Sequence, residues 1–201
     1  AFAEDETWTV PTETCRGFWF VPIALNEEKF GPDKILNFIY DTGASSTIVD
    51  AAALERASGR SFDDGDRVRF VDATAGDIRF NKLPARVDSL GHLSMALGRS
   101  VDGILGVDAF KQFVLTLDPG TQTMTLSKGS LPRPDGETVF SSRGPGNRPW
   151  LKVSIAGNKE RLLVDSGAAG TGITVNKIRR FPLQAEPRVF SSSVRLNHVE
   201  K

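Results

Sequence analysis

Two short acidic segments contain the residues of this chain whose types could do chemistry. Asp-Thr-Gly-Ala runs from Asp41 to Ala44, and Asp-Ser-Gly-Ala runs from Asp165 to Ala168. If the two segments meet, their carboxyl groups share one proton, because two neighbouring carboxylates cannot both ionise easily. The ionised member of such a pair can take a proton from water while the protonated member polarises a carbonyl group. The pattern therefore indicates general acid–base hydrolysis.

Each acidic segment lies between two apolar runs of the kind that form strands. Residues 35–40 precede the first segment and residues 161–164 precede the second, while residues 48–49 and 173–175 follow them. The sequence thus predicts a strand, an acidic loop and a strand, twice.

The rest of the chain is predicted to be mostly β structure with one short helix. Alternating apolar runs between turn residues predict further strands at 18–25, 67–71, 77–80, 113–117, 123–126 and 150–155. Alanines and Leu54 predict a helix within residues 50–60. An apolar Gly-Ile-Leu-Gly element begins at Gly103.

The sequence pattern also predicts where the chain divides. Residues 131–148 are rich in Pro, Gly, Ser and Arg and lack periodic apolar positions, which is typical of a linker. The earlier pattern then restarts. We therefore expect an N-terminal segment at 1–17, a first lobe at 18–130, this linker, and a partial second lobe at 149–201.

The composition argues against several functional classes. The 201 residues include 25 basic and 25 acidic ones, so nothing in the net charge favours a nucleic-acid or membrane partner. No apolar stretch approaches the roughly 18 to 20 residues of a membrane span. Cys15 is the single cysteine, and His92 and His198 are the only histidines, which makes a Cys/His metal site improbable.

These motifs resemble those of the aspartic proteases, both the two-lobed pepsin-like enzymes and the retropepsin-like ones. Residues 41–45 match the catalytic loop, and Ile104-Leu105-Gly106 matches the hydrophobic-hydrophobic-Gly element that packs beneath it. The Gly-Ile-Leu-Gly-Val-Asp run is most similar to bacterial retropepsin-like domains. The resemblance implies an all-β acid-protease fold with two β-rich lobes, a catalytic cleft between them and few short helices. It implies no cofactor and no metal.

The resemblance also implies a set of site residues. Asp41 and Asp165 would be catalytic and would activate a water molecule between them. The loop residues that would support them are Thr42, Gly43, Ser166 and Gly167. The two hydroxyls would hydrogen-bond across to the opposite loop, and the glycines would allow a sharp turn and a close approach.

A small-residue hairpin tip is the candidate flap over a bound peptide. Its residues are Asp72, Ala73, Thr74, Ala75 and Gly76. The tip lacks the tyrosine of pepsin-like flaps, and an ordinary surface hairpin remains an alternative. Alanine follows the glycine in both acidic loops where many pepsin-like enzymes have a hydroxyl donor, so we expect a comparatively mild pH optimum.

The second lobe is expected to be incomplete within this sequence. Gly103 lies 62 residues after Asp41, whereas only 36 residues follow Asp165. We expect a missing or cleaved C-terminal portion, a second chain, or another copy of the chain to supply the rest. Ala1–Ala3 resemble the end of a secretory signal, which predicts an exported protein, periplasmic or secreted.

The function predicted from these features is that of an aspartic endopeptidase acting on peptides or proteins. Two alternatives stay open. One is a catalytically inactive protease-like module for peptide binding or dimerisation. The other is a single-lobe protease that is active as a homodimer through Asp41 alone.

Overall fold

The computed structural model describes residues 6–31, 34–142, 144–170, 177 and 180–182, and the backbone of 193–195 and 198–200. Within them the strands are β1 (Thr7–Val10), β2 (Glu13–Cys15), β3 (Phe18–Leu25), β4 (Ile35–Tyr40), β5 (Ile48–Asp50), β6 (Arg67–Ala75), β7 (Ile78–Asp88), β8 (Gly103–Leu105), β9 (Val114–Asp118), β10 (Thr123–Ser127), β11 (Trp150–Ile155), β12 (Asn158–Leu163), β13 (Ser193–Arg195) and β14 (His198–Glu200). The helices are α1 (Ala51–Ser58) and α2 (Gly91–Leu97), with a 3-10 turn at Pro145–Asn147. The predicted all-β class with few short helices is confirmed.

The central sheet places β8 between the two strands that flank the first acidic loop. The strand order is β2-β3-β4-β8-β5-β7-β6, and an additional β3–β6 pairing joins its two sides. Strand β8 runs parallel to β4 and antiparallel to β5. The loop from β4 to β5 must therefore cross the end of β8, which is where Asp41 lies.

Two glycines allow β8 to fit into this position. A Cβ atom on Gly103 would lie 2.1 Å from the Phe38 ring and 2.7 Å from the Ile48 carbonyl oxygen. One on Gly106 would lie 2.6 Å from the backbone of Ser46. Both contacts are closer than real Cβ atoms approach, so the Gly-Ile-Leu-Gly element is a packing requirement of the first loop.

Strands β3 and β4 bury one face of their hairpin completely. Alternate side chains at Val21, Ile23 and Leu25 on β3, and at Leu36 and Phe38 on β4, form the centre of the main apolar core. The alternation of residues along these strands in the sequence thus corresponds to alternate side chains buried in the core. Helix α1 covers one side of this core, and the Asp50 carboxylate caps its N-terminus by accepting from the Ala53 amide at 3.0 Å.

The N-terminal residues pair with strands from later in the chain. Strand β1 pairs with β10, and β2 pairs with β3. Residues 1–5, on which the expectation of export rests, lie outside the described residues, as do residues 173–175.

The predicted hairpin after α1 is present but longer than expected. Strands β6 and β7 pair up to Ala75 and Ile78, so the turn lies at Gly76 and Asp77. Of the predicted tip at 72–76, residues 72–75 are strand residues and Gly76 lies in the turn. Helix α2 was not predicted.

The second half repeats the opening hairpin on a smaller scale. Strands β11 and β12 are antiparallel partners joined by a turn at Ala156 and Gly157. Strands β13 and β14 form another pair. Among the described residues, no helix has the length and apolar character needed to cross a membrane.

Candidate active site

The first acidic loop is anchored on both sides of β8. The Asp41 amide donates to the Leu105 carbonyl at 3.0 Å, and the Val107 amide donates to the Ala44 carbonyl at 3.0 Å. These bonds place the loop at the end of β8. The position of the Asp41 carboxyl group is therefore fixed by a strand that lies far away in the sequence.

The second acidic loop has the same local hydrogen bonds as the first. The Gly43 amide donates to Asp41 Oδ1 at 2.6 Å, and the Gly167 amide donates to Asp165 Oδ1 at 2.9 Å. In both loops the amide of the following alanine also bonds back to the carbonyl oxygen of the aspartate. The two Asp-(Thr/Ser)-Gly-Ala segments thus form matching turns.

The two loops are joined by a reciprocal set of four hydrogen bonds. The Thr42 hydroxyl donates to the Val164 carbonyl at 2.6 Å and accepts from the Ser166 amide at 2.9 Å. The Ser166 hydroxyl donates to the Tyr40 carbonyl at 2.9 Å and accepts from the Thr42 amide at 3.0 Å. Each hydroxyl therefore binds the opposite loop through both its proton and its oxygen. The structure thus brings Thr42 and Ser166 together.

The glycines bring each loop into contact with the carboxyl group of the other. A Cβ atom on Gly43 would lie 2.5 Å from Asp165 Oδ2, and one on Gly167 would lie 2.4 Å from Asp41 Cγ. Any side chain at either position would displace the opposite carboxyl group. The glycines are thus required by the approach of the two acids.

The electrostatics of the site follow from this approach. The pKa of Asp41 is raised from 3.8 to about 7, most of all by burial and also by the neighbouring charge of Asp165 and a hydrogen bond with its side chain. The amides of Gly43 and Ala44 act in the opposite direction. Burial also raises the pKa of the Tyr40 phenol, next to the dyad. The pair of acids can therefore hold a proton at pH values where an exposed aspartate has none.

A groove with a volume of about 790 Å³ begins at Asp165 and runs along the second hairpin. Its lining includes Leu151, Val153 and Leu162 from the hairpin and Ala168 from the acidic loop. The groove gives the second loop an open apolar side, on which a bound chain could lie.

One contact at the site has no counterpart in the sequence predictions. The Arg148 guanidinium, at the end of the linker, donates from Nη1 to the Gly43 carbonyl at 3.3 Å. The linker had no periodic pattern, and the contact joins residues that are 105 positions apart. No spacing in the sequence could have indicated it.

Twelve chains among the solved structures match this one. The structure is similar to the crystal structure of a retropepsin-like aspartic protease from Rickettsia conorii, with a TM-score of 0.44 and 14% identity over 64% of this chain and 95% of that chain. No protein-family model matches the sequence. No curated protein matches it. The functional assignment accordingly depends on the geometry of this chain alone.

None of the contacts described for the predicted flap residues involves an acidic loop. These residues are Asp72, Ala73, Thr74, Ala75 and Gly76. The side chains of Ala73 and Ala75 are buried in the core. A Cβ atom on Gly76 would lie 2.7 Å from Pro11 Cγ, in the N-terminal region. A flap role for this segment stays a prediction, and its burial argues against it.

Metal ligands are not grouped in the part of the chain that the structure describes. No three His, Cys, Asp or Glu side chains lie there in an arrangement that could hold a metal ion. The carboxyl groups of Asp41 and Asp165 accept hydrogen bonds from the backbone amides of Gly43 and Gly167.

Proposed function

We propose that this chain is an aspartic endopeptidase whose catalytic pair is Asp41 and Asp165. The observation that carries the proposal is the reciprocal contact of the two loops, in which each glycine lies against the opposite carboxyl group. If the two turns did not touch each other, a side chain at position 43 or 167 would not collide with the opposite carboxyl group. The arrangement is what two carboxyl groups that act on one water molecule require.

The chemistry proposed for the pair begins with one shared proton. The ionised carboxylate takes a proton from a water molecule held between the acids, and the water oxygen attacks the carbonyl carbon of the peptide bond. The carbonyl π electrons move onto the carbonyl oxygen, and the protonated carboxyl group stabilises that charge by a hydrogen bond. The carboxyl group that took the proton from water then gives it to the peptide nitrogen as the C–N bond breaks and the carbonyl group forms again. The products are an amine and a carboxylic acid, and the pair again holds one proton. A pKa of about 7 for Asp41 supports a pair that keeps its proton up to near-neutral pH.

The proposed substrate is an extended peptide or a protein segment. The open groove beside Asp165 supports this proposal, since its apolar lining suits side chains of a chain lying along the hairpin. Completion of the second lobe by a further segment or a second chain is also a proposal. It is supported by the half-buried inner face of β11 and β12, which a neighbouring element would cover.

The two alternatives are supported unequally. A homodimer acting through Asp41 alone loses support, because the position facing Asp41 is already held by Asp165 of the same chain. A binding or dimerisation module without catalysis is favoured by one observation, the half-buried face of the second hairpin. The retention of both acids in hydrogen-bonded loops favours the enzyme.

The experiment that tests the proposal is cleavage of a broad peptide library across the acidic and neutral pH range. We expect cleavage by the unmodified chain and its loss in both Asp41→Asn and Asp165→Asn. The control is Glu137→Gln, which removes one negative charge at an exposed linker position.

Each outcome separates the candidates. If Asp165→Asn keeps full activity, the dyad is formed by two copies of Asp41 and the proposal fails. If the folded, unmodified chain binds library peptides but cleaves none at any pH, the binding module replaces the enzyme as the best assignment.

A further inference from the structure

The end of the linker is packed against the first acidic loop. A Cβ atom on Gly146 would lie 2.8 Å from Ser45 Cβ, and Gly146 has a positive φ of 67°. One on Gly144 would lie 1.9 Å from the Trp150 ring. Both positions therefore require glycine, the first for its conformation and contact and the second for its contact. This arm of the linker, residues 144–148, is fitted to the loop and to the first residue of β11.

Arg148 ends the arm and is held from three sides. Its Nη1 atom donates to the Gly43 carbonyl at 3.3 Å, and its Nε atom donates to the Pro145 carbonyl at 3.2 Å. The guanidinium carbon lies 5.9 Å from the centre of the Trp150 ring. These contacts restrict the side chain, so little further ordering is needed to keep the guanidinium on the Gly43 carbonyl.

The carbonyl that Arg148 binds belongs to the peptide group between Gly43 and Ala44. Gly43 donates its own amide to Asp41 Oδ1 at 2.6 Å, and the Ala44 amide donates to the Asp41 carbonyl oxygen at 3.2 Å. A guanidinium that binds the Gly43 carbonyl therefore holds the residue whose amide binds the Asp41 carboxyl group. The Cα of Gly43 also lies against Asp165. Gly43 therefore connects Arg148 to both acids.

We propose that Arg148 is a positioning residue, which holds the Gly43–Ala44 peptide group in place beneath the dyad and thereby stabilises the ionised form of Asp41. Its relevance to catalysis rests on the proposed function. Its effect on Asp41 does not, because the hydrogen bonds exist whether or not the chain cleaves peptides.

The groups around Asp41 fall into those that raise its pKa and those that lower it. Asp165 faces it from the second loop and raises its pKa, and the buried Tyr40 phenol precedes it on β4. The amides of Gly43 and Ala44 are the groups that lower its pKa. A weaker hold on Gly43 loosens the amide that donates to Asp41 Oδ1, so the pKa of Asp41 should increase.

The second loop provides an internal contrast. The register of the two hairpins makes Phe20 the counterpart of Trp150, because their partners Ile39 and Leu163 both lie two residues before an acid. Phe18 is then the counterpart of Arg148. Among the contacts described for the second loop, none brings a guanidinium to the Gly167 carbonyl. The proposed influence of Arg148 therefore acts on Asp41 and not on Asp165.

The test is a titration of the aspartate carboxyl carbons by ¹³C NMR, with the Asp41 signal assigned from the Asp41→Asn spectrum. We expect Arg148→Met to raise the midpoint of Asp41 by about half a pH unit or more. Arg148→Lys keeps the positive charge but loses the fork that reaches two carbonyls, so its shift should be smaller and in the same direction. Arg133→Met, at an exposed linker position, removes an equal charge and should leave the midpoint unchanged.

Two results would overturn the proposal. One is an unchanged midpoint in Arg148→Met, and the other is an equal shift in Arg133→Met, which would indicate a general charge effect. If Arg148→Met does not fold, Arg148→Lys and Gly146→Ala decide in its place, since both disturb the arm and should raise the same midpoint. Peptide cleavage is measured separately: an inactive but titrating protein with the expected shift keeps this inference and rejects the proposed function.

Discussion

The two hairpins that lead into the acidic loops are built alike but buried differently. Tyr40, directly before the first acid, has 3% of its surface exposed, whereas Val164, directly before the second acid, has 46% exposed. The difference lies in what covers them. Strand β4 pairs with β8 and packs into the main core, and among the described residues β12 pairs with β11 alone.

The acidic loops at the ends of these hairpins are nevertheless matched. Both make the same amide-to-carboxylate bond, and both contribute one hydroxyl to the reciprocal bonds between the loops. The geometry of the dyad therefore depends on short local turns and on the contact between them. The apolar side chains buried in the hairpin before each turn contribute to stability, and the two hairpins differ in how deeply these side chains are buried.

The difference in burial between the two hairpins can be tested with the same leucine-to-alanine substitution in each. Leu36→Ala on β4 should lower the free energy of unfolding by about 3 kcal/mol, because it leaves a cavity in a closed core. Leu162→Ala on the half-buried face of β12 should cost about 1 kcal/mol, since water can fill the space. Urea unfolding measured by tryptophan fluorescence checks this. Equal losses would mean that the second hairpin is as closed as the first.

The reciprocal bonds test what the two loops share. Thr42→Val and Ser166→Ala each leave one amide and one carbonyl of the opposite loop without a partner, at a cost of about 1 to 3 kcal/mol each. We expect similar losses from both substitutions, measured by the same urea titration. The double variant should lose less than the sum, because both side chains serve one contact. Strict additivity would contradict the coupling of the loops.

The raised pKa of Asp41 predicts a pH dependence of stability with a definite sign. The folded chain holds this proton more tightly than the unfolded chain, so the contribution is fully present below about pH 4 and is lost as the pH rises through about 7. Asp41→Asn should flatten the decline in unfolding free energy over that window. Asp165→Asn should flatten it in part, because it removes the neighbouring charge that helps to raise the pKa of Asp41 while burial, the larger cause, remains. A decline that persists unchanged in both variants would assign it to other groups.

The smallest effect is expected far from the contact between the loops. Thr74→Ala on β6 removes a weak exposed hydrogen bond with Asn26 and should change the unfolding free energy by less than about 0.5 kcal/mol. It should also leave the KM for a cleaved peptide unchanged. A marked rise in KM would restore the flap role that the sequence suggested for this segment.

Local patterns account for what the sequence predicted correctly. The Asp-(Thr/Ser)-Gly turns, the hairpins before them and the helix after Asp50 all depend on residues close together in the chain. The Gly-Ile-Leu-Gly element was placed by its resemblance, and the structure supplies the reason, which is the contact of Gly103 with Phe38.

The errors have physical causes as well. The small residues Ala73 and Ala75 indicated a hairpin tip, but they face a crowded core, where β6 pairs with β3. Strand β1 was not predicted, because it is short and its pairing partner β10 lies far along the chain, beginning at Thr123. Arg148 was missed because its contact depends on how the linker returns to the first loop, and no periodic pattern encodes that path.

The position of β8 has a consequence for the order in which the chain folds. The Asp41 amide bonds to the Leu105 carbonyl, so the first acidic loop can be completed only after a strand 64 residues further along has inserted between β4 and β5. Closing so long a segment is entropically costly and slow compared with local turns. During synthesis the first acid therefore emerges early but is assembled late. Until β8 has been added, the Asp41 loop lacks the hydrogen bond that anchors its first residue.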